Sequence, residues 1–130
     1  MTRNHLLDAS ALLALIFNEP GAERVGELID DSAIHAVNLA EAMRKLVSLG
    51  IPASEVIARM EELDLELIET LSLKQVSGIA RLVPEAKRLG LSLGDCVCLI
   101  VAESLDVVTV TAERRWSEIE NWNFKIRQIR

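Results

Sequence analysis

The chain has 130 residues, 50% hydrophobic and 26% charged, with 14 basic and 20 acidic side chains and a net charge of −6. That balance suits one globular domain with a real core and excludes a disordered acidic chain, which lacks apolar residues. Two cysteines exclude a disulfide scaffold, and the acidic excess excludes a simple basic coat for nucleic acid.

His5 to Leu7 is a short apolar run that reads as a strand ending at Asp8, and Ala9 to Phe17, dominated by Ala and Leu, reads as a helix. The apolar stretch from Ala11 to Phe17 is far short of the roughly 20 residues needed to span a bilayer. Met1 to Phe17 mimics a signal peptide weakly, but Asp8 interrupts it and no small-residue cleavage site follows. The expectation is a mature cytoplasmic protein without membrane association.

Asn18-Glu19-Pro20-Gly21 is a turn cluster, Ala22 to Ile29 reads as a second helix, and Ala33 to Val37 as a short strand. Asn38-Leu39-Ala40-Glu41 has the capping-box form, which predicts a helix from Asn38 through Leu49, stopped by Gly50. Pro52 opens the next helix, to about Leu63, and Leu65 to Ile68 is a third strand candidate. Ser72 to Leu89 is helical in pattern, with Gly78 and Pro84 as the places where it would split, and Gly90 closes it.

Ser92-Leu93-Gly94-Asp95 starts another helix, Cys96 to Leu105, which is apolar on every face and belongs at the centre of the fold. Cys96 and Cys98 diverge by roughly 200° on such a helix, so they do not pair with each other. They read as small buried hydrophobes. Val107 to Thr111 is a β-branched strand, Glu113 to Ile119 a short helix, and Phe124 to Ile129 alternates as an edge strand does. Alternating strands and helices predict one α/β domain over residues 1–130, with a mainly parallel sheet covered by helices on both faces.

Most acids fall on solvated helix faces. Asp8, Glu41, Asp95 and Glu113 do not: three follow strands, and Asp95 heads the central helix. In an open parallel sheet the loops leaving the carboxyl ends of the strands share one rim, where ligands bind. Each acid alone has a structural alternative. Asp8 serves as an N-cap, Glu41 and Asp95 as capping-box partners of Asn38 and Ser92, and Glu113 as a favourable charge at a helix start. Together they ask for a cation, since two unit charges about 5 Å apart repel by roughly 3 kcal/mol at an effective dielectric near 20. Oxygen-only ligands suit Mg²⁺ or Mn²⁺. His5 and His35 lack zinc-type spacing to a cysteine and are expected to serve packing or the surface.

These segments resemble a known family. Leu7-Asp8-Ala9-Ser10-Ala11-Leu12, Asn18-Glu19-Pro20-Gly21-Ala22-Glu23, Leu91-Ser92-Leu93-Gly94-Asp95-Cys96 and Val110-Thr111-Ala112-Glu113-Arg114-Arg115-Trp116 look like the motifs of PIN-domain ribonucleases, in order and over essentially the whole chain. The subgroup they are most similar to is the VapC type, the toxin half of type II toxin–antitoxin pairs. The resemblance implies a three-layer α/β/α fold with about five strands, bound Mg²⁺ or Mn²⁺, and metal-assisted hydrolysis of RNA phosphodiester bonds. It assigns Asp8, Glu41 and Asp95 as acidic ligands, with Ser10 and Thr111 as supporting hydroxyls. The family usually has Asp where Glu113 stands, which makes Glu113 the least certain of the four catalytic acids.

An RNA substrate needs positive charge. Residues 1–110 hold 9 basic and 17 acidic side chains, whereas residues 111–130 hold 5 and 3. Arg114 and Arg115 are therefore candidate RNA contacts, with Lys125, Arg127 and Arg130 behind them, and a solvated helix face and edge strand are the alternative. Trp116 and Trp122 would stack on a base or pack on the core. The nearly apolar first helix suggests cover on a second face, which the resemblance fills with a homodimer partner and a cognate antitoxin. Acids such as Glu23, Glu27, Asp30, Asp31, Glu61 and Glu62 would suit a basic antitoxin tail. Two other readings compete. A phosphatase or phospho-acceptor domain also places Asp after its first strand, but lacks support here: Ser10 stands where a haloacid-dehalogenase phosphatase has its second Asp. A catalytically weak or inactive PIN-like module that binds RNA or protein is the alternative raised by Glu113.

Overall fold

A computed structural model of the chain describes residues 3–130. Five short strands, β1 (His5–Leu7), β2 (Ser32–His35), β3 (Glu66–Ile68), β4 (Val108–Thr111) and β5 (Ile126–Gln128), form one sheet in the order β3-β2-β1-β4-β5. Every neighbouring pair is parallel. The helices are α1 (Ala9–Ile16), α2 (Ala22–Leu28), α3 (Ala36–Ser48), α4 (Ala53–Glu62), α5 (Leu73–Arg81), α6 (Val83–Leu89) and α7 (Leu93–Leu105).

The register explains why the central strands are continuously apolar. Leu6 lies beside Ala33, and both pack on α7. Leu7 lies beside Ile34 and Val110, which pack on α1, α2 and α3. Successive side chains thus enter opposite cores, and both faces of the strands are covered. In α7, every residue from Cys96 to Ala102 is buried, as its all-round apolar sequence predicts. Both cysteines are free.

Three helix boundaries differ from expectation, and one expected helix is of a different type. The helix after β2 begins at Ala36, not Asn38. His35 caps it, its Nδ1 accepting from the Val37 N–H at 3.1 Å, while its Nε2 lies 3.0 Å from the Thr70 carbonyl. The capping box read in Asn38–Glu41 does not form, and Glu41 falls in the second turn. Helix α7 begins at Leu93, ahead of Cys96, because the Ser92–Asp95 capping box closes there. The 72–89 segment splits at buried Leu82, between the two predicted breakers, and Pro84 sits in the first turn of α6, where its missing N–H costs nothing. Residues Arg114–Glu118 form a 3-10 helix.

Helix α1 is covered within the chain on one side. Ala11 and Ala14 pack with Val25 of α2, and Leu12 packs with Ala42 of α3. Leu13, Leu15 and Ile16 are only partly buried and Phe17 is exposed, so part of its apolar surface stays open. Beyond it, Gly21 takes a φ of 98°, and a Cβ there would meet the Ile129 carbonyl oxygen at 2.6 Å. Arg130 donates to the Pro20 carbonyl at 3.1 Å, so the C-terminus closes onto this turn. Among the described residues no helix is long and apolar enough to cross a membrane.

Candidate active site

The chain leaves β1 for β2 and β3 on one side, then returns to place β4 and β5 on the other. The strand order therefore reverses between β1 and β4, and that is where α/β sheets open a ligand crevice. Asp8 follows β1 directly and Thr111 ends β4.

Asp8 is buried and works first as the N-cap of α1, its Oδ1 accepting from the Ala11 N–H at 2.8 Å. The Ser10 hydroxyl lies 2.7 Å from Oδ1 and 2.9 Å from Oδ2, and Thr111 Oγ1 donates to Oδ2 at 2.6 Å. Backbone donors fix the direction of both hydroxyls. The Ala112 N–H donates to Ser10 Oγ and the Glu113 N–H to Thr111 Oγ1, both at 2.9 Å. Each hydroxyl oxygen is thereby an acceptor for the backbone, and its own proton goes to Asp8. Burial pushes the Asp8 carboxyl up to about 7 even so, against the lowering effect of Thr111, Ala11 and Ser10, and the charge of Asp95 adds to the rise.

Glu41 and Asp95 meet across the rim from opposite faces of the sheet. Helix α3 brings Glu41 against the first turn of α7, where its carboxylate occupies the space that a Cβ on Gly94 would need. Asn38 Nδ2 donates to the Gly94 carbonyl at 2.9 Å and to Glu41 Oε1 at 3.2 Å. Burial raises the Glu41 carboxyl, Asn38 lowers it, and the charge of Asp95 raises it further. Asp95 accepts from the Ser92 N–H at 2.9 Å through one oxygen, Oδ2. The Cys98 thiol is held well up by burial first, then by the charges of Asp8, Asp95 and Glu41. The three acids thus act on one buried group beneath them.

Glu113 stands apart. It is exposed, and its backbone N–H rather than its carboxylate makes the link to Thr111. The basic residues divide as well. Arg114 is exposed beside the rim, whereas Arg115 donates to the Leu89 carbonyl at 3.0 Å and closes the end of α6. Lys125 pairs with Asp106 at 2.7 Å, ahead of β5 and β4, at the end of the sheet away from the acids. Trp116 is buried in the core, and Trp122 stacks on Phe124 with centroids 5.2 Å apart.

Two residues of this site escaped the sequence reading, Asn38 and Gly94. The sequence pattern makes the first a helix cap and the second part of a helix start. The available signal was a pair three residues apart, Asn38 and Glu41, which suits a side-chain contact on a helix as well as a cap.

Among the described residues no three His, Cys, Asp or Glu side chains stand so that together they could hold a metal ion. The donors fit a hydrated divalent cation nonetheless. They are all oxygens, and Mg²⁺ typically keeps several waters while using one or two carboxylates. The two Asp8 oxygens carry four contacts, of which the Ser10 hydroxyl makes two, so a cation there would take the place of one Ser10 contact.

The PIN domain family matches residues 5–121. No curated protein matches the chain in sequence. Among solved structures, the DNA-bound VapBC of Salmonella typhimurium is similar at a TM-score of 0.73 and 17% identity, covering 98% of this chain and 99% of that one. VapBC2 of Rickettsia felis, bound to a DNA fragment from its promoter, is similar at a TM-score of 0.71 and 19% identity, with 95% and 97% covered. VapBC-5 of Mycobacterium tuberculosis, a member of the VapBC family of toxin–antitoxin systems, gives 0.65 and 21%, again with 95% and 97% covered.

Proposed function

The chain belongs to the PIN-domain family, and from that membership we propose that it is a Mg²⁺- or Mn²⁺-dependent endoribonuclease, the VapC-like toxin of a toxin–antitoxin pair. The observation that carries the reading is Asp8, a buried carboxylate at the strand-order reversal, held by two directed hydroxyls and sharing one field with Glu41 and Asp95.

In this reading Asp8 and Asp95 hold the cation, and Glu41 completes the set or orients the attacking water. Ser10 and Thr111 keep the Asp8 carboxylate turned to one face. The cation, when bound, supplies Lewis acidity and neutralises charge developing on the phosphodiester. Arg114, exposed beside the rim, contacts an RNA phosphate. Glu113, two residues after Thr111, is the fourth catalytic acid of this reading, and its carboxylate is exposed.

The similar VapBC structures support a cognate antitoxin as partner, and a homodimer and a cytoplasmic setting belong to the same proposal. Glu23, Glu27, Asp30, Glu61 and Glu62 suit a basic antitoxin segment. Asp31 is already engaged by Asn4 and His5.

The test is cleavage of structured RNAs by purified, antitoxin-free protein with Mn²⁺ or Mg²⁺. EDTA and Asp95→Asn serve as controls, and light scattering reads the oligomeric state. Cleavage that needs both metal and Asp95 is the expected result. The exposed Glu113 favours a second reading, a catalytically weak or inactive module that binds RNA or protein. A folded protein that binds RNA and cleaves none would establish it.

A further inference from the structure

Asn38 is buried in α3, and its role there is not helical. Its Nδ2 makes two donations, to Gly94 on α7 and to Glu41 on its own helix. These fix the amide orientation, since the flipped amide would set its oxygen against two acceptors. Its Oδ1 is then buried with no partner among the described residues. An unpaired buried acceptor is costly, and an apolar side chain of similar shape would avoid the cost. Such groups concentrate where a polar side chain serves a site rather than packing.

Gly94 answers Asn38 from the other helix. Its backbone lies outside the left-handed region, so its conformation does not require glycine. Glycine is a poor helix former, yet it stands in the first turn of the most buried helix. What its missing Cβ provides is room for the Glu41 carboxylate.

We propose that Asn38 and Gly94 form a bracket that holds the Glu41 carboxylate beside Asp95, and that this bracket sets the affinity of the rim for a divalent cation. The inference rests on reading the rim as a cation site. Asn38 acts through Glu41 and is a positioning residue. The Glu41 carboxylate lies between an amide donor on one side and a bare helix backbone on the other. Loss of either side lets it swing along the rim. Outer-shell partners of metal ligands typically change affinity by about 10- to 100-fold, and the bracket is expected to fall in that range.

The two residues allow opposite perturbations. Asn38→Ala removes the donor, and also leaves the Gly94 carbonyl short of a partner. Gly94→Ala adds a Cβ where the carboxylate lies. The far end of a flexible side chain yields to it, and alanine improves the helix. Gly94→Ala is therefore expected to keep or raise the thermal midpoint while it displaces Glu41, an outcome that a purely structural role would not give.

The experiment is Mn²⁺ titration followed by electron paramagnetic resonance of the free ion. It compares wild type, Asp8→Asn, Glu41→Gln, Asn38→Ala, Gly94→Ala and the Glu41→Gln/Gly94→Ala double variant. Wild type is expected to bind and Asp8→Asn to lose binding. Gly94→Ala and Asn38→Ala are each expected to weaken binding about 10-fold or more. The double variant should bind no more weakly than Glu41→Gln alone, because both changes act through one carboxylate. If Asn38→Ala does not fold, Gly94→Ala and the double variant decide. Wild-type affinity in Gly94→Ala, or additive losses in the double variant, would overturn the bracket while leaving the cation site standing. No Mn²⁺ binding by wild type would overturn the cation site itself, and the bracket with it.

Discussion

Thr111 Oγ1 donates to Asp8 Oδ2 at 2.6 Å, joining the ends of two neighbouring central strands through residues 103 positions apart. The Glu113 N–H donates to the same hydroxyl oxygen, and of the two acceptors in reach of the Thr111 proton Asp8 is the nearer, with Ser10 Oγ at 3.3 Å.

Thr111→Val keeps the shape and removes that donor, leaving Asp8 and the Glu113 N–H each one partner short. The metal-free variant is expected to lose about 1.5–3 kcal/mol of unfolding free energy, the usual worth of a hydrogen bond to a charged group. Urea denaturation at about pH 8 measures it. An unchanged midpoint would mean that the hydroxyl does not hold Asp8.

A cation that binds only the folded chain stabilises it by mass action. At about 100 times its Kd the gain is roughly 2.7 kcal/mol, which for a chain of this size is a rise of about 10 °C in Tm. A thermal shift assay with Mn²⁺ should show that rise in wild type and none in Asp8→Asn. A rise of equal size in the variant would put the ion somewhere other than the rim.

Glu85 offers a pH dependence remote from the rim. Arg88 reaches its two oxygens at 3.0 and 2.6 Å, and the Glu120 N–H donates to one of them at 2.9 Å. Arg88 first and Glu120 second hold the Glu85 carboxyl down at about 2. A depressed carboxyl contributes its stability in full above its unfolded value, near 4.5, and loses it as the pH falls towards about 2. Glu85→Gln should therefore unfold more easily than wild type near neutral pH, and the gap between their urea midpoints should narrow steadily below about 4.5. A gap that stayed constant through this range would contradict the pairing.

Gly21→Ala tests the closure of the C-terminus. Its φ of 98° costs an alanine about 1–2 kcal/mol, and the new Cβ meets the Ile129 carbonyl oxygen at 2.6 Å as well as the Ile129 Cβ and Cγ1. Unfolding free energy is expected to fall by at least about 1 kcal/mol. No loss would mean that the last residues do not pack against this turn.

The fold was legible because two faces of the sheet had to be covered. Leu6 and Leu7 are adjacent and both apolar, which only a strand buried on both sides explains, and α7 announced its central place by having no polar face between Cys96 and Ala102. Asp8 and the Ser92–Asp95 capping box were equally legible, because caps are local. The start of α3 was not. Asn38 and Glu41 satisfy the spacing of a cap, but His35 takes the cap, and Asn38 spends its amide on a partner 56 residues away, the Gly94 carbonyl. Arg115 and Lys125 show the same thing with charge. Sequence proximity to Glu113 and Thr111 put them near the site, while the direction of each strand sent Lys125 to the opposite end of the sheet.

The donor that orients Asp8 has a consequence for biosynthesis. The ribosome makes Asp8 103 residues before Thr111, and Asn38, which holds Glu41, waits in the same way for the carbonyl at Gly94. A nascent chain that stops short of β4 holds Asp8 without the Thr111 hydroxyl. The acids are thus made well before the rim around them is complete.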